Sequence, residues 1–351
     1  MLVTTLSFFL IIQILFLFTK KKIRNAKLFN DFFSFLVFIL LMFMFFFKNE
    51  DFGADTKNYI TEFSYYCIDP QTYFGVDYTY KVVFFVLDSI MLNSCNVYWL
   101  MWIWPLLIIV VLYAAAHIFK FDKIYLVAFI TSFIGIELLT NAMRQGFSIA
   151  ILILAFCFYL KKRYLWFAVF AAVSFLFHQA SMIIISILII SRLNYKIIIP
   201  CFATGIFVSF TTVYFDVLPG VLSFKNAIYK YLPYADEDFI VRLISIASLF
   251  LTVIIYKWAT YKNQLEDKKI NNSLLNIVFI CSMVSFVPYL GFRVIYGIYP
   301  LVLLMLSYTN KRNGNFAYEY LSYVSCINSI ITIVWLCGST HMRIIPFVSI
   351  I

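Results

Sequence analysis

Residues 140–182 read TNAMRQGFSIAILILAFCFYLKKRYLWFAVFAAVSFLFHQASM, from Thr140 to Met182. Two apolar runs of membrane grade separate three polar clusters: Arg144 with Gln145, then Lys161, Lys162 and Arg163, then His178, Gln179 and Ser181. If each run crosses a bilayer as a helix, the chain returns to the side it left, and Arg144 and His178 share that side. The stretch therefore predicts a helical hairpin in a membrane, with polar chemistry gathered at one of its ends.

Composition extends this reading to the whole chain. Its 351 residues are 64% hydrophobic and 13% charged, with a mean hydropathy of +0.92, whereas a soluble domain carries roughly 25% charged residues. The apolar runs are continuous, not alternating, so helices are favoured over a barrel. The expected fold class is all-α, a polytopic membrane protein forming a single transmembrane domain over 1–351. Met1 to Phe18 is apolar and precedes Lys20, Lys21, Lys22, Arg24 and Lys27. That inverts the charge order of a signal peptide, and a retained first helix is expected.

About twelve spans follow from the apolar runs: 2–18, 31–47, 97–116, 124–140, 145–160, 164–177, 181–192, 197–215, 241–258, 273–290, 295–309 and 318–336. Placing the basic loop after the first span in the cytoplasm puts most of the 27 Lys and Arg residues on that side and most of the 17 acidic residues outside. The net charge of +10 is thereby a topological signal, and no nucleic-acid partner is expected. Between 48 and 96 lies an outer segment whose run at 80–92 is too short to cross. It reads as an amphipathic or re-entrant helix with Lys81 and Asp88 on its polar side. A second outer loop is expected at 216–240. The seven cysteines show neither CxxC nor metal-ligand spacing. Inert thiols are expected, with a Cys67–Cys95 pair as the alternative if both lie outside the cell.

In this topology Asp55, Glu137, Arg144, His178, Arg242, Arg293, His341 and Arg343 all fall near outer membrane ends, where buried charge is costly and marks a polar pocket. Arg144, in NAMRQG, fits a snorkelling interfacial anchor, an ion pair with Glu137, or an anion clamp at a helix start. Arg293, in PYLGFRVIYGIYP, is expected in an outer turn, either stacked on tyrosines such as Tyr296 or gripping a phosphate or sugar. His178 is either a structural residue or a general base for a sugar hydroxyl. Asp55, in FGADTKNYITEF, is either solvated or a base.

The segments GADTKNYITEF, the outer run at 80–92, NAMRQGFSIAILILAF and FLFHQASMIII resemble the EpsG-like branch of the Wzy polysaccharide polymerases, and GFRVIYGIYP fits that family's later arginine-bearing turn. The resemblance implies a GT-C-like membrane fold in the bacterial cytoplasmic (inner) membrane, with an active site facing outside and no cofactor or metal. It implies transfer of a growing glycan from polyprenyl pyrophosphate to a lipid-linked repeat unit. It further implies that Arg144 and Arg293, with Gln145 and Tyr296, contact pyrophosphate or sugar, and that His178 or Asp55 is the base. The partners implied are the lipid-linked oligosaccharides, membrane lipids, a chain-length regulator and a flippase. An O-antigen-ligase-like glycosyltransferase and a transporter of lipid-linked sugars are the competing readings.

Overall fold

The structure is a computed structural model that describes residues 2–19, 26–46, 54–70, 78–90, 95–120, 124–178, 180–191, 235–262, 268–284, 290–309 and 316–338. Among these residues there are fourteen helices and no strand. In chain order they are α1 (Leu2–Thr19), α2 (Ala26–Phe46), α3 (Ala54–Ile68), α4 (Tyr78–Ile90), α5 (Val97–Phe119), α6 (Ile124–Ile130), α7 (Phe133–Thr140), α8 (Met143–Leu160), α9 (Tyr164–Phe177), α10 (Ala180–Ile190), α11 (Ala235–Lys262), α12 (Lys268–Val284), α13 (Leu290–Thr309) and α14 (Phe316–Gly338). Trp102–Phe119, Met143–Leu160 and Tyr320–Cys337 are long and apolar enough to cross a membrane, and six shorter apolar helices accompany them. Its described residues are those of an all-helical membrane protein. The span expected at 197–215, most of the loop at 216–240, and His341 and Arg343 lie outside the described residues.

Two compact units divide the chain: residues 1–179 with 303–351, and residues 180–302. In the first, α8 packs along α9 and α5, while α14 packs along α1 and α6. In the second, α12 packs against α11 and α10, and the Asn276 amide donates to the Ser191 carbonyl at 2.9 Å, ending α10.

Three expectations need correction. The span at 124–140 is two half-helices, because Ser132 takes an extended backbone (φ −77°, ψ 147°) and caps α7 by accepting from the Gly135 amide. A methyl at Gly135 would fall on the Phe129 carbonyl, so only glycine permits so close a return. The break frees carbonyls within the apolar bundle, and α14 supplies the donors. The Thr332 hydroxyl lies 3.0 Å from Thr131 O and 2.7 Å from Asn328 O of its own helix, so the two carbonyls share its one proton, and Asn328 Nδ2 donates to Ala128 O at 3.2 Å.

Second, the segment at 48–96 holds not only α4 but also α3, whose buried Thr56, Tyr59, Phe63 and Tyr66 recur every three or four residues. On α4, Phe84 and Leu87 are buried and Val82, Phe85 and Val86 exposed. Lys81 and Asp88 are half-buried. Third, Cys67 and Cys95 are not inert thiols. They form a disulfide with Cα atoms 6.0 Å apart, stapling the last turn of α3 to the approach of α5.

Candidate active site

The α8–α9 hairpin is closed by the turn at Lys161, Lys162 and Arg163. Arg163 N donates to Phe158 O and Lys162 N to Tyr159 O, with Lys162 in the left-handed region at φ 58°. These are the paired bonds of a Schellman ending. At the other end a reciprocal serine pair fixes the register. Ser148 Oγ donates to Ser174 O and Ser174 Oγ to Ser148 O, each at 2.8 Å, with the two hydroxyls 3.1 Å apart.

Both serines are fully buried, so each hydroxyl must find a partner across the seam, and each finds the other helix's backbone. Ser148 lies one turn after Arg144, and Ser174 one turn before His178. Between these levels Phe147 and Phe177 meet edge to face, ring centroids 4.9 Å apart. The clasp thus brings Arg144, Gln145 and His178 to one end of the hairpin, as the sequence predicts. His178 ends α9 with an extended backbone (φ −158°, ψ 119°), its amide bonded to Ser174 O. Arg144 and His178 are half-buried, and Gln145 is buried.

The start of α8 is unusual. Its N-cap residue is Ala142, which offers no side-chain acceptor, although the first amides of a helix lack partners within it. The Tyr59 hydroxyl reaches across from α3 and accepts from the Arg144 amide at 3.3 Å. One turn earlier on α3, Thr56 Oγ1 donates to Thr140 O at 3.2 Å, at the end of α7. Asp55 is the residue before Thr56, so α3 delivers its backbone to the α7–α8 elbow. The Asp55 side chain lies outside the described residues. Across the same elbow the Asn141 amide donates to the Glu137 carboxylate at 3.0 Å, and Glu137 is buried.

Beneath α3 lies a core of Tyr59, Phe63, Tyr66, Phe84, Leu87, Trp104 and Met143. Phe63 and Phe84 have ring centroids 5.1 Å apart, and Trp104 stands edge-on to Phe147 at 5.7 Å. Burial, and secondarily the nearby Asp88 carboxylate, pushes the Tyr66 phenol above its ordinary pKa, so it is neutral at physiological pH. The Trp104 indole N–H is buried with no hydrogen-bond acceptor among the described residues.

Arg293 and Tyr296 belong to the second unit. Arg293 lies in the first turn of α13, not in an outer turn, and its guanidinium carbon is 5.9 Å from the Phe292 ring centroid. Tyr296 is 2% exposed and meets Phe292 nearly edge-on at 5.3 Å. Arg144 and Arg293 share one local setting, the opening turn of a helix, where backbone N–H groups and the helix dipole favour an anion.

Sequence reasoning missed Thr56, Tyr59, Ser148 and Ser174. A signal existed for the first two: the spacing 56, 59, 63, 66 marks one face of a helix in a segment too polar to span. Nothing distinguished the serines from the chain's other hydroxyls.

No curated protein and no solved structure matches the chain. The sequence model of the EpsG family matches residues 32–349, a stretch that takes in α3, the α7–α8 elbow, the clasped hairpin and Arg293. With nearly its whole length matched, the chain belongs to the EpsG family.

Proposed function

We propose that this protein is a polysaccharide polymerase of the Wzy type, transferring a growing glycan from polyprenyl pyrophosphate to the end of a lipid-linked repeat unit. Family membership supports the class. The observation that carries the site is the serine clasp, which sets an arginine at a helix start and a histidine at the same end of one hairpin. In the reaction an acceptor hydroxyl attacks the anomeric carbon of the donor. The bond from that carbon to the pyrophosphate oxygen breaks, polyprenyl pyrophosphate leaves, and the hydroxyl proton passes to a base.

Arg144 offsets the charge that grows on the leaving pyrophosphate, with Gln145 beside it for a phosphate or sugar oxygen. Donor and acceptor each carry a pyrophosphate, and Arg293 with Tyr296 supplies a further contact of this kind. His178 or Asp55 takes the proton. A disulfide between the end of α3 and the approach of α5 suits an oxidising compartment, which supports reaction on the outer face of the cytoplasmic membrane.

One feature could favour a transporter of lipid-linked sugars, since broken helices line transport sites. The carbonyls of Thr131 and Ala128 at the α6–α7 break are instead taken by Thr332 and Asn328, which supports a structural kink.

The test is the polymer ladder made by membranes carrying single substitutions at matched protein levels. Arg144→Ala and Arg293→Ala are expected to lose on the order of 10²-fold to 10³-fold in rate and to accumulate single lipid-linked repeat units. An unchanged ladder in both variants refutes the reading. Comparison of His178→Ala with Asp55→Ala identifies the base, since the variant that keeps its rate is excluded.

A further inference from the structure

We infer that Tyr59 is a positioning residue for Arg144, its phenol oxygen serving as the missing N-cap of α8; this rests on Arg144 contacting pyrophosphate. A helix of this length normally opens with Ser, Thr, Asp or Asn at the N-cap, whose side-chain oxygen accepts from the second or third helical amide. Here Ala142 occupies that place and makes no side-chain bond. The amide at the second helical position belongs to Arg144, and Tyr59 takes it from outside the helix.

The Met143 amide is served locally by Asn141 O, and Gly146 N donates to Ala142 O as the first bond within the helix. The arginine's amide is served by another element. Tyr59 is 5% exposed, with its ring in the aromatic core below α3. Its helix is held at one end by Thr56 on the Thr140 carbonyl and at the other by the Cys67–Cys95 disulfide.

The location of the cap matters because of what the first turn carries. A side-chain cap within the chain's own turn would move with α8. An acceptor on a stapled neighbouring helix instead ties the arginine's backbone to a fixed external point. Electrostatic stabilisation of a leaving group depends on such fixation, and a displacement of about 1 Å costs as much as 10²-fold in rate.

Two predictions separate positioning from packing. Tyr59→Phe keeps the ring in its core and removes the hydroxyl. The hydroxyl it removes is the acceptor for the Arg144 amide, and the variant is expected to lower kcat between tenfold and 10²-fold, with KM for lipid-linked repeat units unchanged. Ala142→Ser or Ala142→Asp, introduced into Tyr59→Phe, gives the same amide a local acceptor. Because a local acceptor moves with α8, neither is expected to recover more than a small part of the lost rate, while either alone leaves the wild-type rate nearly intact.

Extracted lipid-linked repeat units are the substrate, the purified full chain in lipid nanodiscs is the enzyme, and Ser64→Ala on the exposed face of α3 is the control. Full activity of Tyr59→Phe overturns the proposal, as does full recovery of the rate by either Ala142 substitution, which would show that the amide needs an acceptor but not a fixed one. Full activity of Arg144→Ala overturns the pyrophosphate reading and this proposal together. An inactive Arg144→Ala beside a fully active Tyr59→Phe overturns this proposal alone.

Discussion

Gly146 offers the sharpest test of how closely the α7–α8 elbow is built. A Cβ placed there would lie inside the contact distance of the Leu138 carbonyl oxygen, 3.1 Å from the Leu138 carbonyl carbon and 2.9 Å from Ile108 Cδ1. An ordinary carbon–oxygen approach is roughly 3.3 to 3.6 Å. Gly146→Ala must therefore push α8 away from α7, because a backbone carbonyl has no rotamer by which to yield. Overpacking of this kind costs about 1 to 3 kcal/mol. For a chain of 351 residues, with an unfolding entropy of about 2.1 cal/mol/K per residue, each kcal/mol is worth roughly 1.4 °C, so the melting temperature in detergent should fall by about 1 to 4 °C.

Activity should fall further than stability suggests, since the displaced turn carries Arg144. Ile108→Val removes the Cδ1 contact but not the carbonyl one, so the double substitution should recover only part of the loss. Thermal unfolding of the purified protein, followed by fluorescence-detected size exclusion, measures the first effect, and the polymer ladder at permissive temperature measures the second. A Gly146→Ala protein as stable and active as wild type would refute the close approach. Complete rescue by Ile108→Val would show that the Leu138 carbonyl is not the obstacle.

Three further outcomes are expected. Ser148→Ala with Ser174→Ala removes both clasp bonds while keeping small residues at the seam, and should cost about 1 to 3 kcal/mol by the same thermal assay. Thr332→Val keeps shape but leaves the Thr131 carbonyl without the Thr332 donor, costing about 1 to 3 kcal/mol, whereas Thr332→Ser should lie near wild type. Lys162→Gly relieves a left-handed lysine at the hairpin turn and should raise stability by about 1 kcal/mol, while Lys161 and Arg163 keep the loop basic.

The hairpin was legible because its signals are chemical extremes: long apolar runs interrupted by charge. The run at 164–177 coincides with α9 to the residue. The break between α6 and α7 was not legible, since Thr131 and Ser132 are mild enough to pass within an apolar window, and the donors that stabilise the break come from α14. α3 escaped because a search for membrane-length runs discards polar segments, and its periodicity of large aromatics is a signal of a different kind. The disulfide had no spacing rule to announce it. Arg144 and His178 stood out as ionisable groups near membrane ends, but Tyr59 was one of 25 tyrosines until its hydroxyl was seen against the arginine's amide. Local chemistry marks which residues are costly to bury; only the fold tells what holds them still.

The donors at the α6–α7 break also set a timetable for biogenesis. Thr131 and Thr332 are 201 residues apart in the chain. At a synthesis rate of roughly 5 to 20 residues per second, the half-helices leave the ribosome some 10 to 40 s before α14. During that interval the Thr131 and Ala128 carbonyls lack the donors that later serve them, and hydrocarbon supplies none. The newly made N-terminal helices must therefore wait at a protein surface or a wet interface instead of free lipid. A ribosome stalled before α14 should yield a chain that remains bound to the insertion machinery, and release should follow synthesis of α14.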